Sequence, residues 1–240
     1  MKIVKISAIT LAILIIVLFG GFWIWSQMTY EASDELNRFV GDDELNREDG
    51  VRFFPDSSNG TGVIIYPGAR VDPEAYSLIG TSLAEEGFTV FIPEMRFNLA
   101  FFEIGKADAF IEEFTEIEQW VIGGHSLGGV AAASYAYDKD VDGLFFYASY
   151  PQDSTDFSEQ NLPMLSIYAE RDGLTTLEDI DETSELFSDE AIFKEIEGGN
   201  HAQFGVYGDQ SGDRAATISV KEQQEEIIAA TLRWLEEDVQ

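Results

Sequence analysis

The sequence contains no cysteine, which excludes disulfides, thiolate metal sites and attachment of a lipid to an N-terminal cysteine. Basic residues are scarce as well: 14 Lys and Arg stand against 45 Asp and Glu, which gives a formal net charge of −31. A field of that sign repels nucleic acid and polyanionic substrates. With six prolines in 240 residues and no repeat or Ser/Pro-rich tract, we expect one main folded domain without internal linkers.

The N-terminal stretch of residues 6–25 is mostly apolar and uncharged, and it is long enough to cross a hydrocarbon core of ~30 Å. Lys2 and Lys5 precede this stretch, and acidic residues follow it. The positive-inside bias therefore predicts a single-pass anchor in the cell membrane, with the rest of the chain extracytoplasmic. A cleaved signal peptide is the alternative, but the apolar run is longer than usual and lacks a clean cleavage site. A buried helix fits less well, because the stretch has no polar face.

Three segments follow from this pattern: a transmembrane signal anchor over 1–30, an acidic stalk over 31–50 and a folded domain over 51–240. In the folded domain, apolar runs alternate with helical patterns, which predicts an α/β fold with a doubly wound, mostly parallel sheet. The run at 51–55 is predicted as a leading edge strand, and 56–60 as a hairpin turn. The other predicted strands are 62–66, 88–93, 120–122, 143–148, 164–168 and 191–196, and the predicted helices are 73–86, 106–114, 127–137, 176–187 and 219–237.

The stretch Gly-His-Ser-Leu-Gly-Gly at 124–129 lies between an apolar strand and a helix rich in small residues. Such a turn holds Ser126 in a strained conformation with its hydroxyl projecting beyond the sheet, and glycines on either side allow strand and helix to approach closely. The pattern predicts that Ser126 is a nucleophile. The alternative is an ordinary glycine-rich turn in which Ser126 only caps the helix.

A serine hydroxyl needs a general base, and a carboxylate to orient that base. The chain has two histidines, and His125 adjoins the serine with its side chain directed away. The predicted base is therefore His201, which follows the last strand. The predicted acid is Asp172, because it ends a strand and is followed by glycine. Asp153, after the preceding strand, is the alternative.

The backbone N–H of Leu127 lies at a helix N-terminus and is a predicted oxyanion donor. A second donor is predicted in the loop after the first central strand, at Ala69, with Gly68 and Arg70 as alternatives. No dinucleotide fingerprint, P-loop or zinc motif occurs, and Asp209–Asp213 only hints at a calcium loop without EF-hand spacing. We therefore predict no cofactor and no metal.

The Gly-His-Ser-Leu-Gly-Gly stretch, followed in order by Asp172 and His201, resembles the α/β-hydrolase superfamily from about residue 51 to 237. The layout is similar to compact dienelactone hydrolases without a cap, but with serine as the nucleophile. Pro67-Gly68 stands where lipase-like members have His-Gly. The resemblance implies a serine hydrolase that cleaves small carboxylic esters with short acyl groups through a Ser-His-Asp triad and an acyl-enzyme. The alternatives are an acyltransferase, a thioesterase or amidase with the same triad, or a non-catalytic binding module displayed at the cell surface.

Overall fold

The computed structural model describes residues 2–41 and 45–239 of the chain. Residues 42–44 of the predicted stalk therefore lie outside the described residues, as do Met1 and Gln240. The side chains of Lys2 and Lys5, on which the predicted membrane orientation depends, also lie outside them.

The described residues form one seven-stranded sheet with the strand order β1-β3-β2-β4-β5-β6-β7. Every neighbouring pair is parallel except β1 and β3, which are antiparallel. The predicted doubly wound, mostly parallel sheet is therefore confirmed. The strands are β1 (Gly50–Phe53), β2 (Thr61–Tyr66), β3 (Thr89–Pro93), β4 (Gln119–His125), β5 (Gly143–Tyr147), β6 (Met164–Ala169) and β7 (Ile192–Ile196). The helices are α1 (Lys2–Ser26), α2 (Ser77–Glu85), α3 (Ala107–Glu113), α4 (Leu127–Asp138), α5 (Leu177–Thr183) and α6 (Val220–Trp234).

Both faces of the sheet are covered, which explains why the central strands are continuous apolar runs. On β2, Val63 and Ile65 pack into the core on one face, and Ile64 and Tyr66 pack into the core on the other. Residues of α2 and α6 complete the first core, and residues of α3 and α4 complete the second. Because β2, β4, β5 and β6 are parallel, their carboxyl ends lie at the same edge of the sheet, and the candidate site is at this edge.

Several helix ends differ from the predicted ones because the terminal turns are not α-helical. The predicted helix 73–86 begins with a 3₁₀ turn over Pro73–Tyr76, before α2. Capping boxes start α5 at Thr176 and α6 at Ser219. A 3₁₀ turn follows α5, and a π-helical turn over Leu235–Val239 follows α6.

One predicted connection is wrong. The segment 56–60 is not a hairpin turn, because β1 pairs with β3 and not with the next strand, β2. β2 instead lies between β3 and β4, where both of its edges are paired, while β1 covers the outer edge of β3. Between β5 and β6, residues 148–163 cross over without a helix.

The N-terminal helix α1 leads directly onto the folded domain. No helix within the described residues is both long and apolar enough to cross a membrane, so the predicted transmembrane helix is not confirmed. The Asn98 side chain donates to the backbone oxygen of Ser26 at 2.9 Å. Tyr30 then bridges to Val71 in a parallel arrangement, so the chain leaving α1 lies against the loop after β2.

Candidate active site

The turn between β4 and α4 holds Ser126 in a conformation that few non-glycine residues adopt, with φ 52° and ψ −122°. The turn is tight, because a Cβ added at Gly128 would lie 2.2 Å from the backbone oxygen of Tyr66. The Ser126 side chain makes no capping hydrogen bond to α4. A purely structural role as a helix cap therefore finds no support, and Ser126 is partly exposed.

The backbone of the serine turn is fixed to the neighbouring strand. Ser126 N–H donates to the oxygen of Tyr147 at 2.9 Å, and the Ser149 hydroxyl donates to the oxygen of Ser126 at 2.7 Å. Ala148, which lies between Tyr147 and Ser149, also has a positive φ, 45°. Strain of this kind persists only where the surroundings over-determine it. Ser149 was not predicted, because nothing in the sequence shows that its hydroxyl reaches the turn.

Asp172 and His201, which are 29 positions apart, form a buried pair. His201 Nδ1 lies 2.7 Å from Asp172 Oδ2, and both side chains are fully buried. A carboxylate only accepts hydrogen bonds, so we assign the imidazole proton to Nδ1 and the lone pair of the neutral ring to Nε2. The arrangement is the one by which an acid orients a general base.

The Asp172 carboxylate is held by its own turn as well. Its Oδ1 accepts from the backbone N–H groups of Leu174 and Thr175, each at 2.7 Å. The Thr175 hydroxyl donates to the oxygen of Ala148 at 2.9 Å, which ties this turn to the end of β5. Asp153, the alternative acid, is exposed and makes no side-chain hydrogen bond among the described residues. The geometry therefore favours Asp172.

The other ring nitrogen of His201, Nε2, is buried and has no hydrogen-bond partner among the described residues. Ser126 Oγ is therefore not bonded to it in this structure, although the two residues occupy the same edge of the sheet. The ring of His125, next to the serine, lies 4.6 Å from the ring of His201 between centroids. A hydrogen bond between a catalytic hydroxyl and its general base is often long in the absence of substrate and shortens when substrate binds.

His125 itself is fully buried and bonded to the Tyr76 hydroxyl, whose Oη lies 2.9 Å from His125 Nδ1. Burial, and then the neighbouring His201, holds the pKa of His125 well below its ordinary value, so the ring is neutral. Burial also raises the pKa of Tyr76, which keeps its hydroxyl protonated. The prediction that His125 is not the general base agrees with this environment.

Of the three N–H groups considered in the loop after β2, two already have acceptors. Gly68 N–H donates to the Tyr76 hydroxyl at 2.9 Å, and Arg70 N–H donates to the oxygen of Asn98 at 2.7 Å. Ala69 N–H and Leu127 N–H have no acceptor among the described residues, and both residues are partly exposed. These two groups are therefore the ones available to an oxyanion.

Two cavities lie at opposite edges of the sheet. A cavity of about 760 Å³ lies at the edge opposite the candidate site, before the amino ends of β2 and β3, and is lined by no candidate residue. A smaller cavity of about 350 Å³ lies beyond β5 and is lined by residues from Tyr150 to Ser154, with Thr183. Among the described residues, no cluster of three or more His, Cys, Asp or Glu side chains could hold a metal ion.

Comparison with known proteins agrees with the architecture. The model of the alpha/beta hydrolase family matches residues 62–225. Among solved structures, the chain is similar to a predicted CIB-like hydrolase from Thermoplasma acidophilum, with a TM-score of 0.56 and 16% identity, over 77% of this chain and 90% of that one. A search of curated proteins found no match. At that identity the structural likeness concerns the fold alone.

Proposed function

Because the chain belongs to the alpha/beta hydrolase family, we propose that it is a serine hydrolase that cleaves carboxylic esters with short acyl groups. The observation that carries the proposal is the buried Asp172–His201 pair, whose free Nε2 has no partner among the described residues. The strained serine turn at the same edge of the sheet supports it, because a serine held in this way is a candidate nucleophile. The proposed site consists of Ser126, His201 and Asp172.

In the first half of the proposed reaction, Ser126 Oγ attacks the ester carbonyl carbon while its proton passes to His201 Nε2. Asp172 stabilises the imidazolium that forms, without taking its proton. When the tetrahedral intermediate collapses, the bond to the alkoxy oxygen breaks and His201 returns its proton to the departing alcohol. The product of this step is an acyl-enzyme on Ser126.

In the second half, water attacks the acyl carbonyl with His201 again acting as the base. Collapse of this second intermediate releases the carboxylic acid and restores the Ser126 hydroxyl. In both halves the carbonyl oxygen becomes an oxyanion, and the N–H groups of Leu127 and Ala69 are the proposed donors to it. Their lack of other acceptors among the described residues supports this assignment.

The proposal of small substrates with short acyl groups rests on the short connection between Ser126 and Asp172. That interval contains α4, β5, β6 and an irregular crossover, and no segment in it has the size of a lid domain. The acidic surface disfavours a negatively charged substrate. Transfer to another acceptor, or cleavage of a thioester or amide, would use the same three side chains, and no structural observation favours any of these over ester hydrolysis.

We also propose that residues 1–30 anchor the chain in the cell membrane and leave the hydrolase domain outside the cytoplasm. The uncharged run 6–25 and the order of charges around it support this. Alkaline carbonate extraction of membranes from cells that express the full chain with a C-terminal tag tests the anchor. Retention in the pellet is expected, and release into the supernatant would contradict it. Protease added to intact cells or spheroplasts should digest the tag if the orientation is as proposed.

A series of p-nitrophenyl esters of increasing acyl length tests the enzymatic proposal. We expect the full chain to hydrolyse the acetate and butyrate esters fastest, and Ser126→Ala to lose this activity. Ser57→Ala, at an exposed serine on the opposite edge of the sheet, is the control and should match the wild type. Absence of turnover across the whole series would favour a non-catalytic binding module.

A further inference from the structure

The loop between β7 and α6 contains an aspartate that no part of the proposed mechanism uses. The Asp213 carboxylate accepts three backbone hydrogen bonds. Oδ1 accepts from Gly173 N–H at 3.0 Å and from Arg214 N–H at 2.8 Å, and Oδ2 accepts from Ala202 N–H at 2.9 Å. The acidic stretch that contains Asp213 hints at a calcium loop in the sequence, but in the structure this carboxylate is occupied by peptide groups.

Two of these three donors come directly after the proposed acid and the proposed base in the sequence. Gly173 directly follows Asp172, and Ala202 directly follows His201. One carboxylate therefore joins the turn that carries the proposed acid to the turn that carries the proposed base. Between those two turns the chain runs through α5 and β7. The Asp213 bridge thus connects directly two turns that are distant along the chain.

The loop that carries Asp213 lies close against both turns. A Cβ added at Gly173 would lie 2.7 Å from the oxygen of Gly212, so the two backbones approach more closely than a side chain allows. Further bonds hold the same loop: the side chains of Arg171 and Asn200 donate to the backbone oxygens of residues 215 and 214, at 2.7 and 2.8 Å. Arg171 precedes Asp172, and Asn200 precedes His201.

The chemistry of the bridge requires a carboxylate. Both Asp213 oxygens accept, each from a different turn. An asparagine has the same shape but only one accepting oxygen, because its amide nitrogen is a donor. Asp213→Asn would therefore leave one of the two turn N–H groups facing another donor, and that turn would lose its attachment.

We propose that Asp213 is a positioning residue that keeps the Asp172 and His201 side chains at bonding distance while the imidazole gains and loses its proton. This inference rests on the proposed function, since it assigns Asp213 a part in the same reaction. Asp213 acts through the two turns and does not touch the substrate. Its loss lowers the rate of the chemical steps and leaves substrate binding nearly unchanged.

Two measurements on the full chain test the bridge itself, independently of any substrate. In Asp213→Asn, amide hydrogen exchange at Gly173 and Ala202 should be faster than in the wild type. The NMR resonance of the proton on His201 Nδ1, assigned with His201→Gln, should weaken or move upfield. Asp209→Asn removes an exposed charge from the same loop, with no side-chain hydrogen bond among the described residues, and should leave both signals unchanged. Unchanged exchange and an unchanged resonance in Asp213→Asn would overturn the proposal.

Kinetics with p-nitrophenyl acetate test the consequence for the reaction. We expect kcat of Asp213→Asn to fall about tenfold or more, with little change in KM and a displaced acid limb of the pH–rate profile, whereas Asp209→Asn behaves as the wild type. A kcat and pH profile equal to those of the wild type would overturn the proposal. If Asp213→Asn does not fold, Asp213→Glu keeps both acceptors and the charge but moves them by one methylene. It should show the same losses, and wild-type behaviour would overturn the proposal.

The two proposals fail in different ways. If the wild type hydrolyses no ester while Asp213→Asn still changes exchange at Gly173 and Ala202, the proposed function fails and the bridge stands as a structural fact. If the wild type is active and Asp213→Asn is equally active, the positioning role fails and the proposed function stands.

Discussion

Tyr76 Oη lies 2.9 Å from His125 Nδ1, and the same hydroxyl accepts the Gly68 N–H at 2.9 Å. This buried tyrosine therefore connects the residue before the candidate nucleophile to the loop that carries Ala69. Since its oxygen already accepts from Gly68, its one hydrogen is directed to His125, and we assign the proton of the neutral ring to Nε2. The Tyr76 hydroxyl therefore links the two segments that carry the proposed oxyanion donors, the serine turn with Leu127 and the loop with Ala69.

Tyr76→Phe removes that hydroxyl and leaves two buried polar groups, Gly68 N–H and His125 Nδ1, without partners. We expect the free energy of unfolding to fall by about 1–3 kcal/mol, the usual cost of such a loss. Ester hydrolysis should slow as well, because the Ala69 loop loses its attachment to the serine turn. Urea unfolding and kcat measure the two effects.

The control for this variant is Tyr135→Phe, since the Tyr135 hydroxyl donates to Asp108 at 2.8 Å, on the α3–α4 side of the sheet. It should cost some stability but leave kcat unchanged. Equal loss of activity in the two variants would argue against a specific role for Tyr76.

Gly128 is the position at which the serine turn tolerates least change. A Cβ there would lie 2.2 Å from the oxygen of Tyr66 and 2.4 Å from the oxygen of Pro67, both of which are backbone atoms. Gly128→Ala must push α4 away from β2, so we expect a loss of at least about 1–3 kcal/mol of stability and most of the activity. Gly105→Ala, whose Cβ would meet its nearest atom at 3.6 Å, should have little effect on either. Thermal unfolding and ester turnover, measured on both variants, test this difference.

The buried, neutral state of His125 predicts a stability that depends on pH. Its pKa is lowered in the folded state, so below the unfolded value of about 6.5 the unfolded chain binds more protons and stability falls as the pH falls. Between about pH 7.5 and about pH 5.5, the wild type should lose about 1.4 kcal/mol more than His125→Asn, which keeps an acceptor but does not titrate.

Urea unfolding of both proteins at the two pH values measures this difference, and the shared carboxylates cancel in the comparison. Identical pH dependence in wild type and variant would mean that His125 titrates normally in the folded protein.

The sequence predicts the sheet well because its central strands are buried on both faces and therefore appear as continuous apolar runs. It predicts the Ser126 turn because glycines are required where strand and helix converge, and His201 because the only other histidine adjoins the serine. The pairing of β1 was not predictable, since an edge strand carries no pattern that distinguishes β2 from β3 as its partner.

The residues whose hydrogen bonds hold the segments around the candidate site could not be predicted from the sequence, for a different reason. Tyr76, Ser149 and Asp213 each form a hydrogen bond to the backbone of another segment of the chain. Such contacts depend on how the segments are folded together, and they leave no local spacing or motif. The acidic composition also conceals Asp213, because it is one of 45 acidic residues.

The choice between Asp172 and Asp153 as the acid is open to a direct comparison. Asp172→Asn keeps the shape of the side chain but replaces the carboxylate, and kcat should fall on the order of 10⁴-fold because the imidazole is no longer held in the right tautomer. Asp153→Asn should retain wild-type kcat, since Asp153 is exposed and makes no side-chain hydrogen bond among the described residues. A large loss in Asp153→Asn, with a small one in Asp172→Asn, would reverse the assignment.

In the proposed reaction one hydroxyl, that of Ser126, is made nucleophilic by His201. Treatment of the full chain with a fluorophosphonate, followed by intact mass measurement and peptide mapping, shows which hydroxyl reacts. We expect a single adduct on the peptide that contains Ser126, and no adduct in folded Ser126→Ala or His201→Gln. Absence of an adduct on the wild type, or an adduct on another serine, would contradict the proposed reaction.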